Sequence, residues 1–212
     1  MPMAAARMTP ESSNDDAEDT RRDHALMVRI ANGDHEAFRD LLHIHQNAVV
    51  GTVARMLGST SDAEDIAQQV FLRVWRHARR YKPDAKFTTY LFTITRNLVF
   101  NEIRRRSRKR EVSSDELTER THRESATASH AGPDAEMLQA ELQQAIDDAI
   151  AALPEAQRLA VVLRRYENMP YEEIARVLNV TVPSVKSLLF RARTSLRESL
   201  AIYLDARPEF VS

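Results

Sequence analysis

YEEIARVLNVTVPSVKSLLFRAR, residues 171–193, carries two short apolar stripes separated by Asn179, Val180 and Thr181. Ile174, Val177 and Leu178 recur at the spacing of one helix face, and Val185, Leu188, Leu189 and Ala192 form a second. Packed against each other, the stripes predict helices over Tyr171–Leu178 and from Val182 to about Leu204. Thr181 is placed to cap the second helix, and Pro183 falls in its first turn, where a missing N–H does no harm. Asn179 stands at the turn position that prefers a left-handed backbone, which asparagine tolerates best after glycine. The layout is that of a helix-turn-helix. Its second helix then points Ser184, Lys186, Ser187, Phe190 and Arg191 outward. Lys186 and Arg191 can reach phosphates or guanine edges, and Phe190 can touch a thymine methyl. A solvated basic face is the alternative, but a phenyl ring between cations is an odd way to solvate a helix.

The same period dominates the rest of the chain. With only four glycines in 212 residues and almost no β-branched alternation, the expected fold is all-α. Further helices are predicted at about 23–32, 34–57, 62–79, 88–106, 138–152 and 155–167. Asn32-Gly33-Asp34 reads as a helix-to-helix turn, and Ser61 with Glu64 as a capping box. Residues 111–137 turn to Ser, Thr, Glu, His and Gly-Pro with almost nothing apolar to bury, which predicts a flexible linker. Two helical domains are therefore expected, at 23–110 and 138–204, with a disordered polar leader over 1–22 and a tail over 205–212.

Composition removes several function classes. There is no cysteine, so disulfides and thiolate metal sites are excluded, and a reducing cytoplasm suits the chain. The seven histidines show no ligand spacing, and surface or partly packed roles are expected for them. No apolar run is long enough for membrane insertion or for a signal peptide. Net charge is −1, yet between Arg73 and Arg110 thirteen Lys or Arg stand against Asp84 and Glu102. That local excess attracts phosphates whatever the total.

The basic segment includes an aromatic one, KFTTYLFTITRN, residues 86–97. Phe87, Leu91, Ile94 and Leu98 make a core stripe, while Tyr90, Thr93, Asn97 and Asn101 align a ring with small hydrogen-bonding groups that a core does not require. In DAEDIAQQVFLRVW, residues 62–75, the core stripe is Ala63, Ile66, Ala67, Val70 and Val74. Phe71, Leu72 and Trp75 lie outside it, beside Asp65, Gln68 and Gln69. Either another helix covers them or they form a docking surface for a second protein.

In order and spacing, DAEDIAQQVFLRVW, YKPDAKFTTYLFTITRN with its basic run, a polar linker and LPEAQRLAVVLRRYENMPYEEIARVLNVTVPSVKSLLFRARTSL resemble the extracytoplasmic-function group of bacterial sigma-70-type sigma factors. The resemblance covers about residues 23–203. It implies a sigma-2-like and a sigma-4-like helical domain, binding to core RNA polymerase, recognition of the −10 and −35 promoter elements, opening of promoter DNA, and an anti-sigma factor partner. It implies no cofactor. By position, Asp65, Gln68, Gln69, Phe71, Leu72 and Trp75 match the polymerase-docking surface. Tyr81, Lys82, Lys86, Phe87, Tyr90, Thr93, Arg96 and Asn97 match the element that holds an unstacked −10 base. Pro183, Ser184, Lys186, Ser187, Phe190 and Arg191 match the −35 readers. The chain departs from the family pattern in having Gln69 for glutamate, Tyr90 for tryptophan, Pro170 for a serine cap and Asn179 for glycine.

Two other classes explain part of the sequence. A conventional helix-turn-helix regulator accounts for residues 155–200 but not for the aromatic and cationic first domain. An enzyme acting on nucleic acid requires a catalytic set, and the sequence contains no phosphate-cradling glycine loop, cysteine nucleophile or metal-spaced cluster. Co-purification with core polymerase separates the sigma reading from both.

Overall fold

The computed structural model describes residues 10–114, 135–201 and 203. Among them there are eight α-helices, one 3-10 turn and no strand. The helices are α1 (Pro10–Ala31), α2 (His35–Leu57), α3 (Thr60–His77), α4 (Phe87–Ser114), α5 (Ala135–Ala152), α6 (Glu155–Arg165), α7 (Tyr171–Leu178) and α8 (Val182–Ser199). The 3-10 turn, Ala78–Arg80, leads from α3 towards the loop before α4.

Local chemistry sets most of the boundaries. Asp34 caps α2 by accepting from the Ala37 N–H at 3.0 Å, and Gly58 closes that helix with φ 69°. The α3 cap is Ser59, which accepts from the Asp62 N–H at 3.4 Å, two residues before the expected Ser61 box. Ser59 and Asp62 have the same three-residue spacing, so the competing pair two residues upstream prevails. In the helix-turn-helix, Thr181 accepts from the Ser184 N–H and Asn179 adopts φ 57°, ψ 50°, both as the sequence predicts.

Two boundaries differ more. α1 begins at Pro10, within the stretch expected as a disordered leader, and α4 runs to Ser114, into the expected linker. A helix already anchored by its packed end extends without a new nucleation step, even through residues of modest propensity. The remaining linker expectation, over 115–134, and the tail after 203 lie outside the described residues.

In the N-terminal half, α2 packs against α1, α3 and α4, while α3 also packs on α4. Met27, Leu41, Val49, Val53, Met56, Val70, Val74, Phe87 and Leu91 are its most enclosed side chains. Beneath them Asp23 and His45 form a buried pair, with Nε2 to Oδ2 at 3.0 Å, and Arg22 adds a second partner to that carboxylate. Thus His45 is a core histidine, whereas His43 two residues earlier is exposed. The C-terminal half packs α6, α7 and α8 around Leu159, Leu163, Ile174, Val177, Val185 and Ala192.

Candidate nucleic-acid and polymerase interfaces

α8 leaves one face to solvent. Val185 and Ala192 are buried and Leu188 and Leu189 half-buried, so Pro183, Ser184, Lys186, Ser187, Phe190 and Arg191 all lie exposed on the other side. Phe190 is 69% exposed. Thr194 turns its hydroxyl back to the Phe190 carbonyl, a bond internal to the helix that leaves the ring free.

The loop before α4 and its first turns form an aromatic cluster. Tyr81 lies 5.2 Å from Tyr90 and 6.1 Å from Phe87 between ring centroids, with His24 at 5.9 Å. Burial in this cluster pushes the Tyr81 phenol up to about 12 and raises that of Tyr90, so both rings stay neutral and able to stack. Both are half-buried, presenting part of each ring to solvent. Asn97 is exposed, and its carbonyl accepts from Arg96 at 2.6 Å, leaving the amide N–H groups for another acceptor. Lys82 is exposed, Lys86 and Arg96 are half-buried, and Thr93 donates to the Thr89 carbonyl at 2.7 Å.

Phe87 requires a correction. It is fully enclosed, 5.1 Å from His45, and is a core side chain that cannot meet a base. Its place in the first stripe, with Leu91 and Leu98, already indicated this. In the second stripe Tyr90 and Thr93 are half-buried, and Asn97 and Asn101 are exposed.

The basic run further along α4 is not all free. Glu102 accepts from both Arg105 and Arg106, and Arg106 reaches Asp62 on α3 at 2.8 Å. Arg106 therefore joins α3 to α4, while Arg104, Arg105, Arg108 and Lys109 line the exposed side. Arg105, then Arg106, holds the Glu102 carboxyl at about 2, against the burial that opposes ionisation. A carboxyl depressed in the folded state stabilises fully above its ordinary 4.5 and loses that contribution as pH falls through its folded value. Thermal unfolding followed by circular dichroism should show Glu102→Gln less stable than the parent at neutral pH. The difference should shrink as pH falls from 4.5 towards 2; a constant difference would exclude the ion-pair origin.

On α3, Asp65, Gln68, Gln69 and Leu72 are exposed and share one face, with Leu72 at 50% exposure. Phe71 is the second correction: at 4% exposure it belongs to the core. Helix α3 is covered by α2 on one flank and α4 on another, so its buried arc is wider than the five-residue stripe. Trp75 is intermediate. Its ring stacks on His35 at 4.7 Å and meets Phe38 edge-on at 5.1 Å, leaving only an edge at the rim of the face.

Sequence reading missed one group of residues altogether. Thr52, Arg55, Thr89, Arg158, Tyr166, Glu167 and Glu173 meet between the two halves. No local pattern marks them, since each pair is more than eighty residues apart in the chain.

Comparison with known proteins identifies the family. Sigma-70 region 2 matches residues 41–109, and the Sigma-70 region 4 description matches 143–196. RNA polymerase sigma-H factor of Pseudomonas aeruginosa is 32% identical, over 84% of this chain and 94% of its own length. The chain belongs to the sigma-70 family. The ECF RNA polymerase sigma-E factor of Escherichia coli K12, also 32% identical over 82% of this chain and 92% of its own, places it in the extracytoplasmic-function group. Two solved structures share the sigma-factor fold at 24% identity. CnrH in complex with the cytosolic domain of CnrY has a TM-score of 0.61, covering 88% of this chain and 99% of that one. RpoE with the anti-sigma factor NepR from Bartonella quintana gives 0.62, covering 78% and 97%.

Proposed function

We propose that this sigma factor binds core RNA polymerase through the outer face of α3, holds an unstacked −10 base at the start of α4, and reads the −35 element with α8. What carries the reading is the free face of α8, where an exposed phenyl ring lies between Lys186 and Arg191 on a helix whose other side is committed to the core. On α4, base stacking on Tyr81 and Tyr90 is worth ~1–3 kcal/mol per base, and Asn97 offers amide donors. Arg104, Arg105, Arg108 and Lys109 continue the strip as backbone contacts. Polymerase docking uses Asp65, Gln68, Gln69, Leu72 and the edge of Trp75. The role is binding and strand separation, without catalysis by this chain.

The setting follows from the partner. Core polymerase places the protein in the cytoplasm, and no helix among the described residues is long and apolar enough to cross a membrane. An anti-sigma factor is the proposed restraining partner, since the sigma factor RpoE is seen in complex with one. Transcription by core polymerase plus this chain on genomic DNA fragments, with start sites mapped, tests the whole reading. Discrete starts that require the chain support it; no co-purification with core polymerase and no added starts overturn it.

Recognition separates from opening. Lys186→Ala or Arg191→Ala should weaken binding to closed promoter duplex, and loss of a base contact should cost ~1–3 kcal/mol with relaxed preference at one −35 position. Binding across a set of single-base −35 variants checks this. Uniform loss at every position would make the residue a phosphate contact, and no loss would remove α8 from recognition.

A further inference from the structure

Past its packed half, α4 is held to the body of the molecule by very little. Leu98 and Val99 are the last buried side chains described on this helix, and the half-buried Phe100 and Ile103 are the last apolar ones packed on the core. Among the described side chains beyond Ile103, Arg106 alone is not exposed. Its Nη2 lies 2.8 Å from Asp62 Oδ2 on α3, and its Nε donates to Glu102 Oε1, also at 2.8 Å. The other oxygen of Glu102 accepts from Arg105 Nε at 2.7 Å.

Two features give this bridge a role beyond that of a surface ion pair. The first is its position. Arg106 stands seven residues past Val99, ~10 Å along the helix axis. A helix segment with few buried contacts opens locally at low cost, so the angle between this part of α4 and α3 depends on the bridge. The second is what the bridge connects. Asp62 lies in the first turn of α3, and Asp65, the first residue of the exposed docking face, follows at i+3 on the same side. On α4, the exposed Arg104, Arg105, Arg108 and Lys109 flank Arg106. One guanidinium therefore joins the surface assigned to polymerase to the strip assigned to the DNA backbone. The rigid fork of arginine suits this, because it offers separate N–H groups to two carboxylates at once, which a single ammonium does not.

We infer that Arg106 is a positioning residue for promoter opening: by bridging Asp62 and Glu102 it fixes the cationic strip of α4 at one angle to the docked α3. It acts through its neighbours, since its Nε and Nη2 are committed to carboxylates. This rests on the assignments of α3 to polymerase and of α4 to the −10 region given above.

Two substitutions separate positioning from charge. R106M keeps the apolar stem and removes the fork, while D62N removes the acceptor on α3. They change the net charge in opposite senses, so electrostatics alone would weaken DNA binding in R106M and strengthen it in D62N, whereas positioning predicts the same defect in both. In holoenzyme made from core polymerase and the full chain, each should slow opening of duplex promoter ~5-fold, the scale of coupling within one ion-pair network. Affinity for core polymerase and the unfolding midpoint should stay near parental, because a partly exposed bridge adds little to stability. A template already unpaired at −10 should recover the rate, and the double variant should be no slower than either single one. Should R106M lose helicity, R106K, which keeps the charge without the fork, decides, with a smaller slowing in the same direction. Opposite effects of R106M and D62N overturn the inference, as do equal slowing on duplex and unpaired templates, additive slowing in the double variant, or core affinity that falls in step with the unfolding midpoint. A parental chain that adds no transcription starts to core polymerase counts against the sigma reading instead; parental starts with parental opening rates in both variants count against the positioning role alone.

Discussion

Phe87→Ala should unfold a large fraction of the chain, with a loss of ~3–5 kcal/mol, the range for truncating a fully enclosed phenylalanine. Against a typical total of ~5–15 kcal/mol this is severe. The ring is enclosed among His45, Tyr81 and Tyr90, and its removal leaves a cavity where α4 meets α2. Tyr90→Ala, three residues on, should behave differently. Its ring is half-buried at the edge of the same cluster, so the fold should survive while promoter opening fails. Urea unfolding separates the two variants, and permanganate reactivity of unpaired thymines reports opening. Partial rescue of Tyr90→Ala by a template already unpaired at −10 is expected. If Phe87→Ala folds with parental stability, the ring is not the core element its enclosure indicates.

The second large effect is expected on polymerase docking. Leu72→Asp should weaken core binding by about 30-fold or more, the scale of an interface anchor of ≥2 kcal/mol, with helicity unchanged because the side chain is already half in solvent. Asp65→Lys should weaken it as well by reversing a charge on the same exposed face. Phe71→Ala, one residue from Leu72, should instead lower stability and affect docking only through unfolding. Affinity for core polymerase measured alongside thermal unfolding sorts these cases. Parental affinity in folded Leu72→Asp would remove the α3 face from the interface.

Much of the site was legible because it is local. The α7–α8 turn rests on a cap, a proline in the first turn and an asparagine at φ 57°, all properties of neighbouring residues. The outward face of α8 followed by subtraction once the apolar side was spent. α3 was harder. A period of 3.6 identifies the centre of a buried arc but not its width, and Phe71 lies at the margin that only a second covering helix encloses. The Ser59 cap was misplaced for a related reason, since two serines two residues apart each offer the same three-residue spacing to an acid.

The amino-acid order alone determined an all-α chain, its helix-turn-helix, the free face of α8, and the aromatic, amide-bearing stripe of α4, because periodicity and capping act over three or four residues. The tertiary structure decided which rings are core and which are surface, tied Arg106 to Asp62 rather than leaving it with the other cations, and brought Glu173 to Lys86 and Thr89. Those outcomes depend on how helices far apart in sequence shield one another from water. A carboxylate on α7 has no local reason to face one end of α4 until packing puts it there.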